Sequence, residues 1–208
     1  MEAVRSLGGA AEILWHGDAV LNGVDGIIVP GGFAHGDYLR PGAIARFSPI
    51  MGAVGAFAAD GGPVVGICNG FQVLTEAGLL PGALQKNAGL KFRCAPALLR
   101  VATTDSCLTR AATLGAELQI PINHFEGNYT CSPETLAELQ RDDRIVLRYV
   151  ENPNGSIDDI AGVCNEGRNV VGLMPHPERA VSKLLGSDDG VPLLRSLLET
   201  ASAPTLSV

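Results

Sequence analysis

Short apolar runs alternate along the chain with longer stretches whose apolar positions recur at helical spacing. AEILWH (residues 11–16), GIIVPGG (26–32) and PVVGIC (63–68) have the length and composition of buried strands, and the last two end at glycine or cysteine turns. Between those two, GAIARFSPIMGAVGAFAADGG (42–62) predicts a helix that stops at Gly61 and Gly62. NGFQVLTEAGLLPG (69–82) predicts another, with Phe71, Leu74 and Leu79 near one face and Leu80-Pro81-Gly82 ending it. Strand and helix in alternation are the pattern of a parallel sheet with crossover helices. The expected fold is α/β, a doubly wound, mostly parallel, flavodoxin-like sheet.

The middle of the chain reads differently. LKFRCAPALLRVATT (90–104) and GAELQIPINHFEGNYTC (115–131) alternate without long helical stretches, which predicts an antiparallel excursion. SPETLAELQRDD (132–143) then predicts a helix started by Ser132 with proline in its first turn. RIVLRYVE (144–151), DIAGVCN (159–165) and NVVGLMPHPE (169–178) are strand-like, VPLLRSLLETA (191–201) is an amphipathic helix, and SAPTLSV (202–208) has the look of a frayed tail. No linker, repeat or low-complexity stretch divides the chain, so residues 1–208 read as one domain.

Composition narrows the function classes. The chain is 46% hydrophobic and 18% charged, ordinary values for a globular protein, which sets disorder aside. A formal charge of −7 without a basic stripe argues against a protein that grips nucleic-acid backbone. Five dispersed cysteines (Cys68, Cys94, Cys107, Cys131, Cys164), with no CxxC pair, argue against a disulfide framework and a structural metal. No apolar run reaches membrane-spanning length, so the expectation is a cytoplasmic protein with no membrane partner.

The chemistry concentrates at Gly66-Ile67-Cys68-Asn69-Gly70. This is a G-x-nucleophile-x-G pattern, a sharp strand-to-helix turn whose flanking glycines are required because a Cβ there would meet neighbouring backbone. The thiol stands at a helix N-terminus, where unpaired N–H groups stabilise an anionic sulfur, and the Asn69 N–H can point at a developing oxyanion. Of four histidines (His16, His35, His124, His176), His176 follows a strand-like run in Met174-Pro175-His176-Pro177-Glu178. The two prolines keep this stretch extended, so His176 and Glu178 project to one side as base and orienting carboxylate. The competing readings are a buried structural cysteine, and a turn histidine next to a solvated glutamate.

PGGFAHGDYLRPGAIARF, GICNGFQVL, LPGAL, HFEGNY, NGSIDDIAGV and GLMPHPERAV resemble the small glutamine amidotransferase subunits of phosphoribosylformylglycinamidine synthase, in the class I triad-type superfamily. The resemblance spans about Leu14 to about Leu194. It implies that Cys68 attacks the side-chain amide of glutamine, with His176 moving the proton and Glu178 orienting it. It also implies a second oxyanion donor in the Gly31-Gly32-Phe33 turn, substrate contact at Gln72, and His124 as a pocket wall rather than a second base. His35 stands where the family more often has tyrosine and Pro41 where it often has cysteine. Neither G-x-x-x-x-G-K-[ST] nor G-x-G-x-x-G occurs, so no cofactor is expected on this chain. The resemblance instead implies ATP and magnesium on a large synthetase subunit that takes up the ammonia and turns formylglycinamide ribonucleotide into its amidine, with a small assembly subunit as third partner. An amidotransferase subunit of another pathway, and a catalytically silent truncated scaffold subunit, are the alternatives.

The opening MEAVRSLGG reads as the end of a helix, whereas the resembled subunits begin with a strand and a glycine-containing turn. A first strand is therefore expected to be missing. Strands at 11–16 and 26–32 would then face each other across about 9 to 10 Å, twice the ordinary spacing.

Overall fold

Valines and isoleucines with no polar face make the centre of the molecule. Val64–Ile67 and Val170–Leu173 are buried at every position, as strands covered on both faces must be. In the computed structural model, which describes residues 1–32 and 44–203, these are β2 and β9. β1 (Ile27–Val29), β2 and β9 run parallel, with Ile27 opposite Val64 and Val64 opposite Val170. The connection from β1 to β2 carries helix α2 (Pro49–Ala59), entered through Ser48 with proline at its first position. Helix α3 (Asn69–Glu76) follows β2 directly.

Gly172 in β9 lets α3 approach the sheet, because a Cβ there would run into the ring of Phe71. Phe71 also stacks on Tyr129, with centroids 5.7 Å apart, and so ties α3 to a small antiparallel ribbon of β3 (Ala83–Gln85) and β6 (Asn128–Thr130). Both rings are fully buried.

Beyond β9 the sheet turns antiparallel. The order is β1-β2-β9-β8-β7-β4-β5, with β4 (Arg93–Val101), β5 (Glu117–His124), β7 (Ile145–Tyr149) and β8 (Ile160–Cys164). β9 with β8, β8 with β7, β7 with β4 and β4 with β5 are all antiparallel pairs. The sheet is therefore mixed rather than mostly parallel. The cause is local: residues 150–159 join β7 to β8 and residues 165–169 join β8 to β9, both shorter than the dozen or more residues that a crossover returning a strand parallel requires. Helix α4 (Pro133–Arg141) begins at Ser132, whose hydroxyl accepts from the Thr135 N–H, and α5 (Val191–Ala201) closes the described chain.

The N-terminal expectation needs correction. Residues 11–16 form no strand, and Ile13 and Trp15 are 77% and 66% exposed. An apolar run becomes a strand only where a neighbour accepts its backbone hydrogen bonds, and none is paired with it. The expected gap between two strands therefore does not arise, and β1 forms the sheet's edge. Residues 2–6 are a short helix, α1 (Glu2–Ser6). Phe33, His35, Pro41 and the segment 204–208 lie outside the described residues.

Candidate active site

The β2–α3 junction is built by exclusion of side chains. A Cβ on Gly66 would lie 2.6 Å from Leu74 Cδ1 and 2.7 Å from the Gly70 carbonyl oxygen, and one on Gly70 would collide with the carbonyl of Val29. Between them Cys68 adopts φ 54°, ψ −110°, a left-handed backbone that a side chain rarely accepts. Its own N–H is anchored on Leu173 O at 2.8 Å, so β9 holds the strained turn in place.

β9 delivers the second component. Past Leu173, the His176 N–H donates to Pro121 O of β5 at 2.8 Å, and the 3₁₀ turn Pro177–Arg179 brings Glu178 back under the ring. Glu178 Oε1 lies 2.7 Å from His176 Nδ1, and Arg179 Nε approaches the same oxygen at 3.7 Å. Gly31, at the end of β1, completes the junction: a Cβ there would stand 3.0 Å from Cys68 Cβ and 3.1 Å from His176 Cε1.

These groups open onto a cleft lined by Gly31, Gly32, Cys68, Asn69, Gln72, Asn123, His124, Phe125, Glu126, His176 and Arg179. The cleft thus gathers Cys68, His176, Gly32, Asn69, Gln72 and His124, with Glu178 behind the histidine. The far wall is the end of β5 and the loop after it. Gln72 donates to Glu126 O at 2.9 Å, and Cys68 Sγ sits 3.7 Å from Asn123 O. That wall is gripped from behind by two buried asparagines. Asn87 contacts the His124 ring and the Gly127 N–H, and Asn154 donates to Gly127 O at 2.7 Å.

The two buried histidines are pushed in opposite directions. Burial alone would lower His176, but its contacts with Cys68 and Glu178 outweigh it and raise the ring to about 9. No Sγ–Nε2 hydrogen bond is formed in this conformation: the thiol faces Asn123 O, and His176 Nε2 has no hydrogen-bond partner among the described residues. In this conformation it is Glu178, 2.7 Å from Nδ1, that favours the protonated ring, and Sγ–Nε2 bonds of this kind commonly tighten only when substrate arrives. His124 falls to about 4, through burial first and the charge of His176 second. At neutral pH these directions favour the imidazolium for His176 and the neutral imidazole for His124.

Asn87, Asn123, Asn154, Phe125, Glu126 and Arg179 were not singled out by sequence. Asn123, Phe125 and Glu126 sit in the same NHFEG stretch as His124, and that adjacency is the one sequence signal that points to them. The two buried asparagines lie in loops and act on residues 37 and 27 positions away, which no local pattern reveals.

A strained cysteine sharing a cleft with a histidine that a carboxylate orients is equipped to form and hydrolyse a thioester. The model of a CobB/CobQ-like glutamine amidotransferase domain matches residues 10–188. The chain is 59% identical over 201 residues to phosphoribosylformylglycinamidine synthase subunit PurQ of Rubrobacter xylanophilus, covering 97% of this chain and 91% of that protein. It is 58% identical over 194 residues to the subunit of the same name from Koribacter versatilis, covering 89% and 84%. Among solved structures, PurLQS from Thermotoga maritima matches with a TM-score of 0.87 at 43% identity, over 95% of this chain and 89% of that one. The chain belongs to the glutamine amidotransferases and, within them, to the PurQ subunits of phosphoribosylformylglycinamidine synthase.

Proposed function

We propose that this chain is the glutaminase subunit of phosphoribosylformylglycinamidine synthase and that Cys68, His176 and Glu178 carry its chemistry. The observation that carries the reading is the meeting of strained Cys68 with the His176–Glu178 pair in one cleft, in a chain 59% identical to a PurQ subunit. Cys68 Sγ attacks the side-chain carbonyl carbon of glutamine, and the oxyanion is held by the Asn69 N–H and a donor in the 31–33 turn. The proton leaving the thiol resides on His176, whose raised value suits that state, and passes to the departing nitrogen as the C–N bond breaks. A glutamyl thioester and ammonia result. Water, deprotonated by the now neutral His176, attacks the thioester, and glutamate leaves as the thiol is restored. Gln72, His124 and Gly32 shape the substrate pocket.

PurLQS of Thermotoga maritima supports a synthetase subunit and a small assembly subunit as partners here too. ATP and magnesium act on the synthetase partner. The chain functions as one amidotransferase domain in the cytoplasm, and among the described residues no helix is long and apolar enough to cross a membrane. The parallel run β1-β2-β9, with a helix between β1 and β2, supports the doubly wound, flavodoxin-like reading; a further strand would add at the outer edge of β1.

The test is synthesis by the reconstituted complex with glutamine or with ammonium chloride as nitrogen source. Cys68→Ala is expected to lower the glutamine-driven rate by at least about a thousandfold while the ammonia-driven rate stays within twofold. Glutamine-driven synthesis surviving in that variant would overturn the assignment.

A further inference from the structure

Asn87 is fully buried, and all its hydrogen-bonding capacity is committed. Its Nδ2 donates to Lys91 O at 2.9 Å and to His124 O at 3.1 Å. Carbonyl oxygens only accept, so the amide has one possible orientation and Oδ1 must be the atom facing the other way. Oδ1 accepts the Gly127 N–H at 3.1 Å and lies 3.2 Å from His124 Nδ1. An amide oxygen cannot donate, so His124 Nδ1 must carry a hydrogen. In a neutral imidazole the other nitrogen, Nε2, is then a bare lone pair.

That lone pair is unusual in its surroundings. His124 is 4% exposed, and Nε2 is buried with no hydrogen-bond partner among the described residues. The ring cannot retreat toward the loop, because Gly127 packs so closely that its Cβ, if present, would collide with the imidazole. Residues of the same cleft include Cys68 and His176. A bare buried acceptor is satisfied by an N–H or O–H donor, and of the donors the reaction brings to this cleft the amide NH₂ of glutamine, then the ammonia derived from it, are the ones that must sit beside Cys68 and His176.

We propose that Asn87 is a positioning residue that locks His124 as its Nδ1–H tautomer, so that Nε2 accepts an N–H from the substrate amide and then from the ammonia it releases. The proposal rests on the glutaminase reading. The two histidines would divide the work: His176 supplies the proton, and His124, which has none to give from Nε2, holds the nitrogen that receives it. The titratable and charged groups set around His124 are His176 after β9, Cys68 at the start of α3, Arg93 opposite it on β4, and Lys91 and Glu126 in the adjoining loops.

The tautomer is read from imidazole ¹⁵N shifts of the full-length chain labelled at histidine, in the Cys68→Ala variant with and without glutamine. The expected spectrum at pH 7 has a protonated Nδ1 and an unprotonated Nε2 on His124, and glutamine moves the Nε2 signal toward the hydrogen-bonded range. An Nε2–H tautomer, an imidazolium, or an Nε2 signal indifferent to glutamine would overturn the proposal. As a kinetic arm, Asn87→Asp places a carboxylate against Nδ1 and favours the imidazolium. In the complex it is expected to lower glutamine-driven kcat/KM at least tenfold at pH 6.5, with the loss shrinking toward pH 8.5 and ammonia-driven synthesis within twofold. A loss independent of pH would mark Asn87 as merely structural. If the wild-type complex uses ammonia but not glutamine, the glutaminase reading itself fails, whatever the tautomer.

Discussion

His176 and Glu178 make one hydrogen-bonded pair, yet their chemical loads differ. The imidazole must accept, donate and accept again across the two half-reactions, whereas the carboxylate orients the ring and steadies its charge. His176→Asn is expected to lower glutamine hydrolysis by about 10³ to 10⁴, and Glu178→Gln by about 10 to 10². Single-turnover thioester formation in the complex measures this directly, and equal losses would contradict the division of roles. The pair was legible in sequence because a histidine two residues from a carboxylate is a ready base and orienter for a thiol, but the extended path expected from the flanking prolines was not what joined them: Pro177–Arg179 form a 3₁₀ turn that carries Glu178 back to the ring. Asn87 was not legible. A lone asparagine in a loop has no pattern, and its importance comes from four side-chain hydrogen bonds to three residues, Lys91 in its own loop and His124 and Gly127 at the end of β5 and just after it.

At the scale of elements, the strand-to-helix turn depends on absent side chains more than on present ones. Gly70→Ala drives a methyl group into the Val29 carbonyl, an atom of backbone in a three-residue strand that cannot step aside without leaving β2. The expected loss is about 3 kcal/mol or more, seen as a lowered midpoint in urea. Gly52→Ala, in α2 with nothing within 4 Å of the new methyl group, is expected to gain up to about 1 kcal/mol. Similar midpoints for the two variants would mean that the close approach of α3 to β1 is not what sets the turn. The helices at 49–59, 69–76, 133–141 and 191–201 were legible from apolar spacing and caps. Strand direction was legible for β4 and β5, the expected antiparallel excursion, but not for β7, β8 and β9, which look alike as apolar runs whether they pair parallel or antiparallel. AEILWH was misleading for a related reason: composition reports a taste for burial, and burial also needs a neighbour.

For the whole molecule, the opposed shifts of the two buried histidines set a pH profile of stability. His124, at about 4 when folded, lies below the roughly 6.5 of an unfolded histidine. Its contribution is complete above pH 6.5 and is lost as pH falls through 4, and it amounts to about 3 kcal/mol. His176, raised to about 9, behaves oppositely: its contribution is complete below pH 6.5 and is lost as pH rises through 9. Unfolding free energy is therefore expected to peak near pH 6.5. Denaturant titrations from pH 4 to 9 should show His124→Gln flattening the acid arm and His176→Gln flattening the alkaline arm. Parallel profiles for wild type and both variants would refute the assignment of those charges.

Gly31 stands within a methyl group's reach of both Cys68 and His176, so the ends of three strands distant in sequence converge on a single point. A fragment that kept the cysteine loop and the histidine turn but lost the end of β1 would retain the reactive groups without the wedge that spaces them. The catalytic unit is thus not a portable cassette. Recombination with another amidotransferase at any breakpoint between residues 31 and 176 must bring a matched partner for that shared contact, and the junctions that preserve it are the ones through which such proteins can exchange parts.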